Sequence, residues 1–160
     1  MGQATACLEL LEECPNLDLI ISPVSGGGLL SGTAISAALF SSGTAVVGAE
    51  PAGADDACRS LKAGKIIPLA NPDTICDGLR ASLGTLPFSY IRTLVNDILT
   101  AADSTIIRAM HIIWERMKII VEPSAAVTLA VMLEHAGLFK DKRVGLILSG
   151  GNVNLEKLPW

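Results

Sequence analysis

The sequence predicts an α/β fold built on a parallel sheet, and three observations lead there. Leu17 to Val24 and Arg143 to Leu148 are short, almost continuously apolar runs, the pattern of strands buried on both faces. Stretches of helical periodicity alternate with such runs along the chain, as they do in sheets covered by helices. Glycine-rich turns follow the first and last runs, Gly26-Gly27-Gly28 and Ser149-Gly150-Gly151-Asn152.

The elements follow in order. Ala4 to Cys14 spaces Ala4, Leu8 and Leu11 on one helical face with glutamates opposite, and Pro15 ends it. After the first strand, the glycines open a helix of small residues from Leu29 to Phe40. Ala45 to Ala49 is a second buried strand, closed by Glu50 and Pro51. A helix around Asp55 to Ala63 leads into an irregular stretch, Gly64 to Pro87, and then a helix near Phe88 to Leu94. A short strand, Asp97 to Thr100, precedes helices at Asp103 to Met117 and Pro123 to His135, the latter with proline in its first turn. Arg143 to Leu148 is the last strand.

Composition narrows the function classes. The 160 residues are half apolar and 18% charged, with six aromatic rings, and the mean hydropathy is +0.50. Net charge is -4 with scattered Lys and Arg, so the basic footprint of a nucleic-acid binder is missing. No charged residue occurs from Leu19 to Ala49, but Pro23, the glycines and six serines argue against a membrane-spanning helix there. The start lacks the basic and apolar regions of a signal peptide. Cys7, Cys14, Cys58 and Cys76 form no metal-spaced pair. A cytoplasmic protein is expected.

Three loops could carry chemistry. Gly26 to Gly28, between a strand and a helix start, offers converging N–H groups and a helix dipole to an anion. A nucleotide loop of the Walker type needs Lys where Thr33 stands, and a dinucleotide fingerprint needs Gly where Ser31 stands. A tight turn without ligand stays open. Glu50-Pro51-Ala52-Gly53-Ala54-Asp55-Asp56 places three carboxylates in one loop after a strand, oxygen donors suited to Mg²⁺ or Ca²⁺. Alternatively, Asp55 or Asp56 caps the next helix. Ser149 to Asn152 should face the same cleft as Gly26, because ligands of open α/β sheets bind outside the carboxyl ends of the strands. His111 and His135 lie in no nucleophile motif, and none of the lysines has a context that marks a Schiff-base residue.

Taken together, SGGGLLSG, GAEPAGADDA, TICDGLRASLG, ERMKIIVEPSAA and LSGGNVNL resemble the serine racemase and serine/threonine dehydratase group of pyridoxal-phosphate (PLP) enzymes. The resemblance implies the fold type II architecture of the tryptophan synthase β chain, a three-layer, mainly parallel sheet with helices on both faces. It implies that Gly26, Gly27, Gly28 and Leu29 bind the cofactor phosphate and that Ser149 hydrogen-bonds the ring nitrogen. Gly78 and Glu122 would lie near the ring. Glu50, Asp56 and the Ala54 carbonyl would hold Mg²⁺ or Ca²⁺, and Lys118 and Asn152 would contact ATP as an activator. A neutral Ser at the ring nitrogen does not hold a proton there, which favours prompt loss of a β-hydroxyl, so serine racemisation and serine or threonine ammonia-lyase activity are both implied.

Residues 1–160 resemble the C-terminal part of such an enzyme, a homodimer when complete, as a single incomplete large domain. Met1 to Thr5 is similar to an interior G-Q-G-T motif, with Ala4 for Gly. The family's Schiff-base lysine, second base and substrate-carboxylate loop lie in segments that precede this one, so the chain alone is expected to be inactive. The other reading is a non-catalytic binding or regulatory module that retains the phosphate and metal loops.

Overall fold

The computed structural model describes residues 2–160; Met1, which opens the stretch likened to a G-Q-G-T motif, lies outside the described residues. Among the described residues four strands form one parallel sheet: β1 (Leu19–Pro23), β2 (Ala45–Pro51), β3 (Asp97–Ala101) and β4 (Val144–Leu146), in the order β3-β2-β1-β4. In register, Leu19 faces Ala45 on one side and Val144 on the other, while Val47 faces Asp97. The helices are α1 (Thr5–Glu13), α2 (Gly28–Phe40), α3 (Asp56–Ala63), α4 (Thr85–Leu94), α5 (Asp103–Met117), α6 (Pro123–Glu134) and α7 (Ala136–Phe139).

Alternation along the strands divides the core. Ile20, Val46 and Ile98 point to one face, where Cys7, Leu30, Ala34, Ala57 and Ile91 bring in α1 to α4. Leu19, Ile21, Val47 and Ala49 point to the other, against Ile106, Met110 and Ile113 of α5 and Ala125, Val127 and Val131 of α6. Each fully buried isoleucine contributes about 1.5–3 kcal/mol by leaving water. Few rings are needed because small residues bring backbones close: a side chain at Gly32 would come within 2.8 Å of the Ala4 backbone nitrogen. The expected α/β class with helices on both faces is what forms.

Boundaries differ in informative ways. β2 runs on to Pro51, so Glu50 belongs to the strand, Ala52–Ala54 make a 3-10 turn and Asp56 opens α3. The three carboxylates expected in one loop are therefore divided between the strand end (Glu50), the junction before α3 (Asp55) and α3 itself (Asp56), because parallel pairing with β3 continues to Pro51 and Ala101. The irregular stretch contains a 3-10 turn at Asp77–Leu79, and α4 begins at Thr85, earlier than expected, because Pro87 fits its first turn. α7 was not expected. No helix among the described residues is long and apolar enough to cross a membrane.

Candidate functional site

The carboxyl end of β1 runs into the glycine turn. Gly27 sits at φ 86°, and a side chain there would meet Leu83 at 2.6 Å and Pro87 at 2.8 Å, so only glycine makes this turn. The Ser31 N–H bonds the Gly27 carbonyl at 2.9 Å, and no side chain caps α2. The N–H groups before Ser31 are thus without helical acceptors, and they carry the positive end of the helix dipole. A Cβ built on Gly28 would touch nothing within 4 Å.

Those donors open on a cavity of about 190 Å³ lined by Gly26, Gly27, Gly28 and Leu29, with Gly78 and Leu79 on one side and Ser149 on another. The turn and the loop after β4 do share a cleft, as the strand-end argument requires. Glu122, just ahead of α6, stands behind the Ser149 loop. Its N–H donates to the Gly150 carbonyl at 3.1 Å, and its Oε2 accepts the Asn152 N–H at 3.0 Å. Gly78 is fixed by a residue that sequence reasoning missed: its N–H donates to Oγ of buried Ser124 at 3.1 Å. Serine in the first turn of a helix was the available signal. The donor-rich, glycine-lined cavity fits a phosphate ester, and the exposed Ser149 fits a heteroatom of an attached ring.

At the end of β2, Glu50 is 1% exposed. Its Oε1 accepts the Ala57 N–H at 3.1 Å and its Oε2 the Cys58 N–H at 2.8 Å. Glu50 thereby does the capping expected of Asp55 or Asp56. Asp55 offers α3 no side-chain cap and instead pairs with Arg59 at 2.7 Å. Asp56 is also buried, and its Oδ2 accepts the Leu83 N–H at 2.9 Å. Burial, with the charges of Asp56 and Asp55 nearby, pushes the Glu50 carboxyl up to about 8, against the two backbone N–H bonds. Burial also raises the Asp56 carboxyl.

Among the described residues no three His, Cys, Asp or Glu side chains converge. Glu50 and Asp56 supply two hard carboxylates with lone pairs to spare, and the buried Ala54 sits between them in sequence. That donor chemistry fits a divalent cation that keeps some of its water. At Gly53, between them, a side chain would come within 1.7 Å of the Asp73 carbonyl, so the turn has to approach that backbone closely.

Residues 81–84 stitch the two sites together. The Gly84 N–H bonds the Gly26 carbonyl at 3.1 Å, the Ala81 N–H bonds Ser25 Oγ at 3.3 Å, and Leu83 holds Asp56. The middle of the irregular stretch is anchored by Asp103, which accepts from the Thr74 hydroxyl at 2.7 Å and the Ile75 N–H at 2.9 Å. Asn152 lines a cavity with Asp77, Asn154 and Lys157, whereas Lys118 ends α5 in a left-handed conformation, outside that lining.

Residues 1–150 match the family model of the pyridoxal-phosphate dependent enzymes. The chain is 45% identical over 159 residues to a beta-hydroxyaspartate dehydratase of Paracoccus denitrificans, covering 99% of this chain and 50% of that protein. The crystal structure of serine racemase from Dictyostelium discoideum superposes with a TM-score of 0.91 at 49% identity, over 96% of this chain and 50% of that one. The T.th. threonine deaminase gives 0.91 at 43%, over 96% and 56%. The chain thus spans about half the length of the relatives it matches. With the family model matched over residues 1–150 and the fold shared with these structures, this chain belongs to the pyridoxal-phosphate dependent enzymes.

Proposed function

We propose that the chain forms the phosphate- and ring-binding part of a PLP-dependent racemase or ammonia-lyase acting on amino acids with a β-hydroxyl, serine and threonine among them. The observation behind this is the cavity in which uncapped N–H groups of Gly28 and Leu29 face Ser149 across a glycine turn. The names of the relatives support the substrate class, since β-hydroxyaspartate, serine and threonine all carry a hydroxyl at Cβ. Bound PLP would supply an electron sink for the carbon that loses its α-proton. The residues of this chain bind and orient. The amides from Gly26 to Leu29 take the phosphate, and the Ser149 hydroxyl takes the ring nitrogen without placing a charge beside it. Gly78 lines the cavity beside the ring, and Glu122 holds the Ser149 loop.

Glu50, Asp56 and the Ala54 carbonyl hold Mg²⁺ or Ca²⁺ in this reading, and residues 81–84 transmit the order of that site to the glycine turn. Lys118 and Asn152 remain the candidates for ATP contact. A cytoplasmic location goes with the reading.

Gly28→Asp separates cofactor binding from folding. An acidic residue in the first turn suits the helix dipole, and the side chain meets open space, so the melting temperature should hold. Its charge opposes a phosphate in the cavity. Titration of the purified chain should show PLP binding that inorganic phosphate displaces, weakened about tenfold or more in Gly28→Asp. Equal affinity of the two proteins, or equal binding of pyridoxal without its phosphate, would refute the assignment.

A further inference from the structure

The chain beyond Asn152 has no part in the cofactor reading so far. Asn154 bends it: the Asn154 carbonyl accepts the Lys157 N–H at 3.1 Å, and its Oδ1 accepts the Glu156 N–H at 2.9 Å. Val153 and Leu158 pack on the core beside α5 and α6. Trp160 then lies against α5. Its ring is 5.1 Å from that of His111, tilted by 36°, and 5.3 Å from that of Trp114, edge-on at 86°. Both separations are within the range of attractive aromatic pairs.

Trp114 reaches further, donating Nε1–H to the Val121 carbonyl at 2.9 Å. Val121 precedes Glu122, whose N–H and carboxylate hold Gly150 and Asn152. The contacts close a ring. They run from the Ser149–Asn152 loop along the tail to Trp160, across to Trp114, and through Val121 and Glu122 back to the loop. The loop needs such support, because Gly150 and Gly151 bring the largest backbone entropy of any residue type and no side chain to pack.

We infer that Trp160 is a positioning residue: clasped by His111 and Trp114, it holds the tail and thereby keeps Ser149 on the wall of the cavity. The inference rests on the reading of that loop as part of the cofactor site. Loss of two aromatic pairs in Trp160→Ala should speed amide exchange at Glu122 and Asn152 about tenfold. Amides of β1 and β2 should exchange as before. Trp160→Phe should restore slow exchange. Trp114→Phe, which keeps a ring but removes the donor to Val121, should also speed exchange at Glu122, and its effect should combine less than multiplicatively with that of Trp160→Ala.

PLP affinity should follow the exchange rates, falling in Trp160→Ala and recovering in Trp160→Phe. Unchanged exchange at Asn152 in Trp160→Ala overturns the clasp. So does a uniform rise that includes β1 and β2, or a PLP affinity that ignores the exchange rates. If the unaltered chain binds no PLP, the cofactor reading fails on its own, and exchange at Asn152 still decides whether Trp160 holds the loop.

Discussion

The glycine turn and the carboxylate pair stand at the ends of neighbouring strands, β1 and β2, yet they are built in opposite ways. At Gly26 to Leu29 there are no charges and almost no side chains, and N–H donors are left over. At Glu50 and Asp56 two acidic groups are buried, and backbone N–H groups already bond both oxygens of Glu50 and one of Asp56. The first site needs an incoming anion to use its donors. The second holds electrostatic tension that protons or cations relieve. On the proposed reading, anion affinity therefore depends on backbone shape at one strand end, and pH sensitivity on buried charge at the other.

The largest effect expected is at the turn itself. Gly27→Val forces a β-branched residue to positive φ against Leu83 and Pro87, at a cost of about 3 kcal/mol in urea unfolding. A loss below about 1 kcal/mol would mean that the turn is not sterically determined. Next comes Glu50→Ala, which leaves the Ala57 and Cys58 N–H groups buried without acceptors and should cost about 2 kcal/mol. Glu50→Gln retains one acceptor oxygen and should lose less. The reverse order would contradict the capping role.

The pH dependence tests the tension directly. Because the folded Glu50 carboxyl titrates near 8 and the ordinary value is 4.5, the native state binds the extra proton between those limits. This contribution to stability is present below 4.5 and is lost as pH rises through about 8. Mg²⁺ or Ca²⁺ should raise the melting temperature most at the alkaline end of that window. Asp56→Asn should abolish the rise while sparing an oxygen for Leu83. A cation response that survives Asp56→Asn excludes the site. The smallest effect is expected from Arg59→Ala: the Arg59 and Asp55 side chains are 40% and 39% exposed, and such i,i+4 pairs contribute little, so thermal unfolding should not move measurably.

How much of this was legible in the sequence follows the same division. The strands showed because burial on both faces leaves a continuous apolar run, as in Leu19 to Pro23. The glycine turn showed because no other residue type allows its geometry. The role of Glu50 did not show. Capping is sought at the residue just before a helix, whereas Glu50 reaches α3 from the strand, seven and eight residues ahead of the N–H groups it holds. Likewise, the span from Gly64 to Pro87 has little periodicity because polar bonds to Ser25, Asp56 and Asp103, remote in sequence, order much of it.

β1 pairs with β2 on one side and with β4 on the other, and the Arg143 N–H bonds the Asp18 carboxylate across 125 residues of chain. At synthesis rates of about 5–20 residues per second, one edge of the central strand waits on the order of 6–25 s for its partner. During that time Ile20 and Ile21 belong to a sheet that cannot close, and long-range parallel pairing is slow even when both strands are available. The order of strands that brings two glycine loops into one cleft also makes the newborn chain vulnerable. Its yield on expression should depend on temperature and chaperone supply more steeply than the stability of the finished fold would indicate.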